Sequence, residues 1–322
     1  MHRELLEDIG EKELIKRLAK FMPADQIADD CGLVKIKNKN LLINTDVLVE
    51  NVHFNESTIS PMDLGWKAVI SNISDLLSSG SEKTIGITVG LILPSKTEWK
   101  WVEELYKGIY QALGNYGGII IGGDCSVGNE KIISITALGL QGELKLRRNA
   151  CKPGEIILTT GIHGLSKLGF MIKNKTTLNN IFLSQRLIKK SIENFCRPKV
   201  NPNFIKKLLL TRPNKKITTI GCTDSSDGLF QAIKDLSIAS NCKAIINYEK
   251  IPKDRIDDFK ELAKEKDWRK VLSNFWVVVN PFELDGHTWY SVEHYYQANK
   301  FKNHTEGSEK HEFYKTFTAE SN

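Results

Sequence analysis

The chain has 322 residues, of which 41% are hydrophobic, 8% aromatic and 26% charged, and its formal net charge is +6. This length leaves room for two domains or one large one, and the apolar content is sufficient for a buried core. Residues 1–22 are charged throughout, which argues against a signal sequence or a membrane span there. Leu5, Leu6, Ile9, Leu14 and Leu18 instead predict an amphipathic first helix.

The cysteines and the charges restrict the environment and the partners. Six cysteines lie at least twenty residues apart without a C-x-x-C pair, which argues against a zinc site or a disulfide framework and favours the reducing cytoplasm. Between Lys145 and Lys216, seventeen Lys and Arg accompany two Glu, so this segment carries +15 and the remainder −9. The contrast favours phosphate binding by the basic segment and metal binding by the acidic remainder. Solvated helix faces explain the basic segment, taken alone, about as well. Nucleic acid and membrane are not expected partners.

In the first half of the chain, aspartates stand beside strand-like apolar runs. Asp30 precedes a short strand in "IADDCGLV", and the strand "LLINTD" is predicted to end at Asp46. Asp75 lies within "DLGWKAVISNISDLLSSG", which predicts a helix that Gly80 ends.

The same pattern of strand, small residue and aspartate recurs later. The strand in "GGIIIGGDCS" is predicted to end at Asp124, and "KITTIGCTDSSDGLFQAI" runs from a strand through Asp224, Ser226 and Asp227 into a helix. No G-x-x-x-x-G-K-[ST] loop is present, so a nucleotide site here is not of the Walker type. The Gly-rich stretch "TTGIHGLSKLG", residues 159–169, is a weak indication of a phosphate site.

We expect the aspartates to converge, because ligand sites in α/β folds gather at the carboxyl ends of strands. Two like charges about 4 Å apart repel by roughly 4 kcal/mol at an effective dielectric near 20, so a cluster needs a cation. Mg²⁺ accepts carboxylate oxygens and shares its remaining positions with water and phosphates, which indicates phosphoryl transfer. For a single aspartate, a helix cap or a turn explains the pattern equally well; the repetition favours metal for the set.

Six motifs carry a resemblance to a known family. "TDVLVENVHF", "DLGWKAVISNISDLLSSG", "IGGDCS", "RRNACKPGE", "TTGIHGLSKLGF" and "DSSDGL" occur in the order and spacing of the thiamine-monophosphate kinase family, within the ATP-binding superfamily of aminoimidazole ribonucleotide synthetase. The resemblance covers about residues 1–255. It implies an α/β (α+β) fold of two domains: an ATP- and Mg²⁺-binding, dimer-forming domain at 1–145 and a kinase domain at 146–255. It also implies a homodimer formed through the sheets of the N-terminal halves.

The resemblance assigns site residues one by one. It places metal ligands at Asp30, Asn44, Thr45, Asp46, Asp75, Asp124, Asp224 and Asp227. It places ATP contacts at Tyr106, Gly123, Asp124, Arg148 and Ser226, and a thiamine phosphate contact at His53, which by itself would be interpreted as a core histidine. The Asn44 position is commonly Ser in the family, and either residue can coordinate through its backbone carbonyl. The implied reaction moves the γ-phosphoryl of ATP directly onto thiamine phosphate, giving thiamine diphosphate and ADP.

The composition changes near the end of the sequence. Residues 268–301 hold nine of the twenty-seven aromatic residues, and a "GGEDYEL" segment that follows residue 255 in the family is absent. The second domain is therefore predicted to be incomplete and to expose apolar surface. "LSNFW", "PFELDGHTW" and "SVEHYYQANKF" resemble the beginning of the NADAR family of N-glycosidases. This resemblance covers about residues 266–322 and makes Glu293 the candidate catalytic residue.

The tail also has predicted elements. "NPFEL" and "HTWY" predict two strands around an Asp285–Gly286 turn, followed by a helix in "SVEHYYQANKF". The stretch "FWVVV" is predicted to add a strand to an open sheet edge. Two alternatives to the kinase stay open: an N-glycosidase, and a remnant that binds ATP and Mg²⁺ without turnover. In the tail itself, a hairpin and helix that bury aromatics, with Glu293 simply exposed, explain the pattern as well.

Overall fold

The computed structural model describes residues 13–21, 29–174, 183–211, 216, 218–246, 277–284 and 287–291, the last two ranges by their backbone alone. Residues 13–18 form helix α1, and a 3-10 turn follows at Ala19–Phe21. This agrees with the predicted first helix over its described part, where Leu14 is half-buried and Leu18 exposed. The predicted apolar positions Leu5, Leu6 and Ile9 lie outside the described residues.

A five-stranded mixed sheet organises the first half of the chain. Its strands are β1 (Gly32–Ile36), β2 (Lys39–Val49), β3 (Ser81–Leu93), β4 (Ile119–Val127) and β5 (Ile132–Gln141). Their spatial order is β1-β2-β5-β3-β4. All neighbours are antiparallel except β3 and β4, which are parallel because a helix carries the chain back between them.

Two helices cover one face of this sheet. Helix α2 (Pro61–Ser78) packs against β2, β3 and β5, and helix α3 (Trp99–Tyr116) packs on α2. Helix α2 begins where the Ser60 side chain accepts a hydrogen bond from the Asp63 amide, and Gly80 follows its end with a φ of +89°. The predicted helix and its stop are thus confirmed. None of the described helices combines the length and apolar character needed to cross a membrane.

The ends of two strands differ from the prediction. The strand β2 continues past Asp46 to Val49, and β4 continues past Asp124 to Val127. The reason is pairing: Asp46 lies opposite Ile135 on β5, and Asp124 lies opposite Gly90 on β3, so the ladder extends through both aspartates. An aspartate beside a small residue therefore did not mark the strand end at these two places.

Between residues 145 and 246, the described part of the chain contains a small sheet and four helices. Strand β6 (Lys145–Arg147) pairs in parallel with β7 (Thr219–Gly221). The helices are α4 (Leu165–Lys173), α5 (Gln185–Cys196), α6 (Phe204–Thr211) and α7 (Leu229–Ala239), and a 3-10 turn lies at Arg148–Ala150.

The two halves are in direct contact. Phe195 and Cys196 of α5 belong to the same buried cluster as the residues of α2. Trp66 Nε1 of α2 donates a hydrogen bond of 2.8 Å to the Pro198 carbonyl. These contacts hold the second half against the helical face of the first.

Several large apolar side chains of the second half are not covered. The exposed fractions are 85% for Ile156, 75% for Leu158, 68% for Ile238 and 88% for Ile245. This agrees with the prediction that the second domain exposes apolar surface, since a sheet of two short strands leaves little backbone for them to pack against.

The described part of the tail is a hairpin. Strand β8 (Val277–Leu284) pairs antiparallel with β9 (His287–Ser291), and Leu284 lies opposite His287. The two predicted strands are confirmed. The predicted turn at Asp285–Gly286, the predicted helix and Glu293 lie outside the described residues. The prediction that "FWVVV" joins an open edge is wrong for Val277–Val279, which belong to a separate two-stranded sheet. Two residues separate its strands in the sequence, so their pairing has a low entropic cost.

Candidate metal and nucleotide site

Three carboxylates from distant parts of the chain meet at the junction of the two halves. Asp30 lies just before β1, Asp75 in the last turn of α2, and Asp224 in the loop after β7. One oxygen of each lies within 4.8 Å of the others. The predicted convergence is thus confirmed for these three aspartates, although a helix end and two loops bring them together rather than a row of strand ends.

The electrostatics of these carboxylates shows the cost of their proximity. Burial, together with the smaller effects of the charges of Asp224, Asp46 and Asp30, raises the pKa of Asp75 to about 9. Burial and the charge of Asp30 raise the pKa of Asp224 to about 7, against the opposing effect of Arg148. A cluster of carboxyls that holds protons so strongly is one that a cation would stabilise.

Asn44 and Asp46 extend the cluster from strand β2. Side chains two residues apart on a strand lie on one face, and here that face is covered by α2. Asn44 Nδ2 donates to Asp75 Oδ2 at 2.9 Å and to Asn72 Oδ1 at 3.0 Å. Burial raises the pKa of Asp46, while the neighbouring His53 lowers it.

Thr45 and Asp124 lie on the opposite, open face of the sheet. Thr45 alternates with Asn44 and Asp46 along β2, and its Oγ1 is 2.8 Å from Thr136 Oγ1. Asp124 is exposed and lies opposite Gly90, whose row of the sheet also faces outward. The structure therefore does not bring these two predicted ligands to the carboxylate cluster.

The predicted nucleotide contacts fall in different places. Arg148 pairs with Asp30, and its Nε donates to Thr223 Oγ1 at 3.0 Å, so it lies at the cluster. Ser226 and Asp227 are exposed in the loop that follows Asp224. The charge of Asp227 contributes to the raised pKa of Asp224.

Tyr106 and Gly123 lie farther along the sheet. Tyr106 packs against the main core, and burial raises its pKa, with a smaller effect from Cys125 of β4. At Gly123 an added Cβ would collide with the Val89 carbonyl oxygen. The glycine is therefore required by the close approach of β4 to β3, whatever its role toward a nucleotide.

His53, the predicted substrate contact, is exposed in the turn after β2. Its Nδ1 accepts a hydrogen bond of 3.1 Å from the Val49 amide. The interpretation as a core histidine is thereby excluded, and the ring is accessible close to Asp46.

Sequence reasoning missed the polar residues that support the carboxylates. Ser74 Oγ donates to Asp224 Oδ2 at 3.5 Å, and Ser78 Oγ donates to Asp30 Oδ2 at 2.7 Å. Ser74 directly precedes Asp75 in α2, and Ser78 lies three residues after Asp75 and four after Ser74. That spacing of polar residues in an otherwise apolar helix could have identified them. Asp29, which directly precedes Asp30 in "IADDCGLV", accepts from Arg147 Nη1 and from the Arg148 amide, each at 2.7 Å.

The residues present fit a hard divalent cation. Three carboxylates supply oxygen ligands at one point. Asn44 Oδ1 is buried and has no hydrogen-bond partner in the described part of the chain, which leaves one more oxygen without a donor beside them. Asp30, Asp75 and Asp224 are therefore the residues that would hold a metal such as Mg²⁺.

Comparison with known proteins agrees with this geometry. Residues 28–141 match the family "AIR synthase related protein, N-terminal domain". The chain is 44% identical over 252 residues to a thiamine-monophosphate kinase of Prochlorococcus marinus, covering 78% of this chain and 76% of the relative. It is 34% identical over 249 residues to that of Synechococcus elongatus, covering 77% and 75%.

A solved structure gives the same result. "AaThiL complexed with AMPPCP and TMP" superposes with a TM-score of 0.73 at 26% identity, covering 86% of this chain and 85% of that one. The α/β fold expected from the sequence for residues 1–255 is thus confirmed. These matches do not show a NADAR-like segment. On the extent and identity of the first match, the chain belongs to the thiamine-monophosphate kinase family.

Proposed function

We propose that this chain transfers the γ-phosphoryl group of ATP to thiamine phosphate, giving thiamine diphosphate and ADP. The observation that carries the proposal is the convergence of Asp30, Asp75 and Asp224 in a chain 44% identical to a thiamine-monophosphate kinase. The superposition on a protein complexed with AMPPCP and TMP supports the same pair of substrates. In phosphoryl transfer, a protein contributes mainly by positioning the reactants and stabilising the charge of the phosphate groups. No covalent enzyme intermediate is therefore required.

The proposed site holds Mg²⁺ at Asp30, Asp75 and Asp224, with Asn44, Asp46 and Asp227 beside them. Bound Mg²⁺ neutralises charge on the phosphate oxygens. Arg148 offers a planar guanidinium suited to phosphate oxygens. In the metal-free arrangement Arg148 pairs with Asp30, and we assign it to ATP, together with Gly123, Ser226 and Tyr106. His53, exposed near Asp46, is assigned to thiamine phosphate.

We propose that the open face of the five-stranded sheet forms a homodimer. The strand β4 is at the sheet edge, and its Ile119 and Ile121 are exposed by 66% and 51%. An exposed apolar edge strand of nine residues is rarely left uncovered. The predicted ligands Thr45 and Asp124 lie on this face, so a dimer would cover them. Sedimentation velocity should give a dimer, and Ile121→Asp should give a monomer; a monomeric parent chain would refute the proposal.

The division into a domain at 1–145 and one at 146–255 is also proposed. Proteolysis at the 141–146 connection, with separation of two folded fragments, would test it.

A cytoplasmic location is supported by the six free thiols.

A direct assay tests the reaction. Purified chain, ATP, MgCl₂ and thiamine phosphate should yield thiamine diphosphate, which is oxidised to its fluorescent thiochrome derivative and separated chromatographically from the derivative of thiamine phosphate. Formation should be lost in EDTA and in Asp75→Asn, and kept in the control Glu130→Gln, which removes an exposed carboxylate.

Calorimetry separates the kinase from a remnant that only binds nucleotide. Titration with ATP and Mg²⁺ should show binding that disappears in EDTA. Binding without product would establish the non-catalytic remnant, and binding unaffected by EDTA would refute the metal assignment.

For residues 266–322 we propose a partial NADAR-like segment without glycosidase activity. The specific support is the antiparallel pairing of Val277–Leu284 with His287–Ser291, as its motifs predict. A segment of under sixty residues is marginal as an independent domain. Base release from ribose-bearing substrates, present in the intact chain and lost in Glu293→Gln, would contradict the proposal.

A further inference from the structure

His163 joins two segments that the proposed reaction uses separately. It lies at the end of the Gly-rich turn before α4, and its ring is half-buried. Its Nε2 is 2.5 Å from Thr159 Oγ1, and its Nδ1 is 3.2 Å from Ser225 Oγ. The ring therefore connects the turn at 159–164 with the loop at 222–228, across sixty-two residues of sequence.

The loop at 222–228 carries the residues proposed to meet ATP and metal. Ser225 stands between Asp224 and Ser226, two residues before Asp227. The start of the loop is held by the Asp224 amide, which donates to Asp30 Oδ2 at 3.4 Å, and by Thr223 Oγ1, 3.3 Å from Asp30. His163 supplies a hydrogen bond farther along, where the backbone becomes exposed.

The backbone of His163 is adjacent to a well-packed helix. Helix α4 begins at Leu165, and the φ of +90° at its N-cap Gly164 lets the chain turn into the helix. Leu165 and Leu168 of that helix are 2% and 0% exposed. The position of His163 is therefore set by a packed helix, and the more exposed loop is attached to it.

The chemistry of the two contacts suits a permanent link. A hydroxyl can donate or accept, so Thr159 and Ser225 satisfy either neutral tautomer of the imidazole. Burial lowers the pKa of His163, which favours the neutral ring. Each ring nitrogen has a partner, so His163 is not free to act on a substrate itself.

We propose that His163 is a positioning residue for the nucleotide, which holds the loop at 222–228 so that Ser226 and Asp227 meet ATP and its metal. This inference rests on the proposed function. It goes beyond it because His163 and Ser225 carry no predicted contact with either substrate. Without His163, the exposed part of the loop would have to become ordered each time ATP binds. Holding the loop in place beforehand removes this entropic cost and improves the affinity for ATP.

Steady-state kinetics of the full chain tests the role. His163→Ala should raise KM for ATP about tenfold and change KM for thiamine phosphate less than twofold, since losing one or two neutral hydrogen bonds is worth about a factor of ten. Ser225→Ala should have a similar effect, and the double variant should be no worse than His163→Ala alone. His163→Gln, which keeps a donor and an acceptor, should recover part of the affinity.

A matched control separates positioning from general damage. Asn40→Ala removes the half-buried hydrogen bond to Gln141 at the far end of β2 and should leave both KM values unchanged. An unchanged KM for ATP in His163→Ala, or effects of His163→Ala and Ser225→Ala that add fully, would overturn the inference.

Failure of the proposed function is distinguishable. If the parent chain forms no thiamine diphosphate but binds ATP with Mg²⁺, the same tenfold ratio is expected in the calorimetric Kd of His163→Ala. If the parent chain binds no ATP at all, both proposals are wrong.

Discussion

Raising the pH of the metal-free protein from about 6 to about 10 should destabilise it, because its buried carboxyls must then ionise side by side. The pKa of Asp224 is about 7 and that of Asp75 about 9, against an ordinary value of 3.8. Both folded-state values lie above the unfolded one. The stability that these carboxyls contribute is therefore fully present below pH 3.8 and is lost as the pH rises through about 7 and then about 9.

The magnitude follows from the geometry. The charge of Asp30 is matched by Arg148, so the main repulsion is between Asp75 and Asp224, whose ligand oxygens lie within 4.8 Å. Two unit charges at that separation cost about 3 kcal/mol at an effective dielectric near 20. For a chain of this size, 1 kcal/mol corresponds to about 2–4 °C, so the melting temperature should fall by about 6–12 °C.

Differential scanning fluorimetry across this range, in EDTA, measures the effect. Other groups titrate too, so the diagnostic quantity is the difference between variants. Asp75→Asn should flatten the slope, because its amide cannot ionise and still accepts from Asn44 Nδ2. Glu130→Gln should retain the parent slope. Excess MgCl₂ should restore most of the lost stability at high pH in the parent chain and little in Asp75→Asn. Equal slopes in the parent chain and Asp75→Asn, or no response to Mg²⁺, would refute the electrostatic interpretation of the cluster.

Three further predictions concern other parts of the molecule. Asp46→Asn keeps the shape of the side chain and removes a charge from the metal site, so turnover should fall by orders of magnitude with little change in melting temperature; activity within a few-fold would make Asp46 a structural residue. Gly123→Ala places a methyl group against the Val89 carbonyl oxygen. The free energy of unfolding, measured by denaturant titration, should therefore fall by an amount typical of overpacking, about 1–3 kcal/mol. The control Gly122→Ala, where an added Cβ meets open space, should change it little. Deleting residues 266–322 should increase aggregation, measured by light scattering, and leave ATP binding per soluble molecule unchanged; a fully soluble deletion variant would show that the tail covers nothing.

The elements that the sequence predicted best are those with strong local constraints. Helix α2 has a capping Ser60, a proline in its first turn and Gly80 beyond its end, and each acts within a few residues. The hairpin of Val277–Leu284 with His287–Ser291 is local as well, since two residues separate its strands. Local hydrogen bonds and φ preferences are readable without knowledge of the fold.

The ends of β2 and β4 were predicted wrongly for the opposite reason. Asp46 and Asp124 continue their strands because β5 and β3 pair with them. Which residues pair across a sheet depends here on partners more than thirty positions away. A local pattern carries no information about that pairing, and tertiary context overrides propensity.

The sequence by itself determined the residue types of the site: the repeated aspartates, their motifs and order identified the family and predicted metal chemistry. Only the tertiary structure decided which of them meet. Asp30, Asp75 and Asp224 come together because a helix end and two loops converge, whereas Thr45 and Asp124 face away, because neighbouring residues on a strand point to opposite faces of the sheet. The link between His163 and Ser225 likewise required the fold, since a hydrogen bond between segments sixty-two residues apart leaves no periodicity in the sequence.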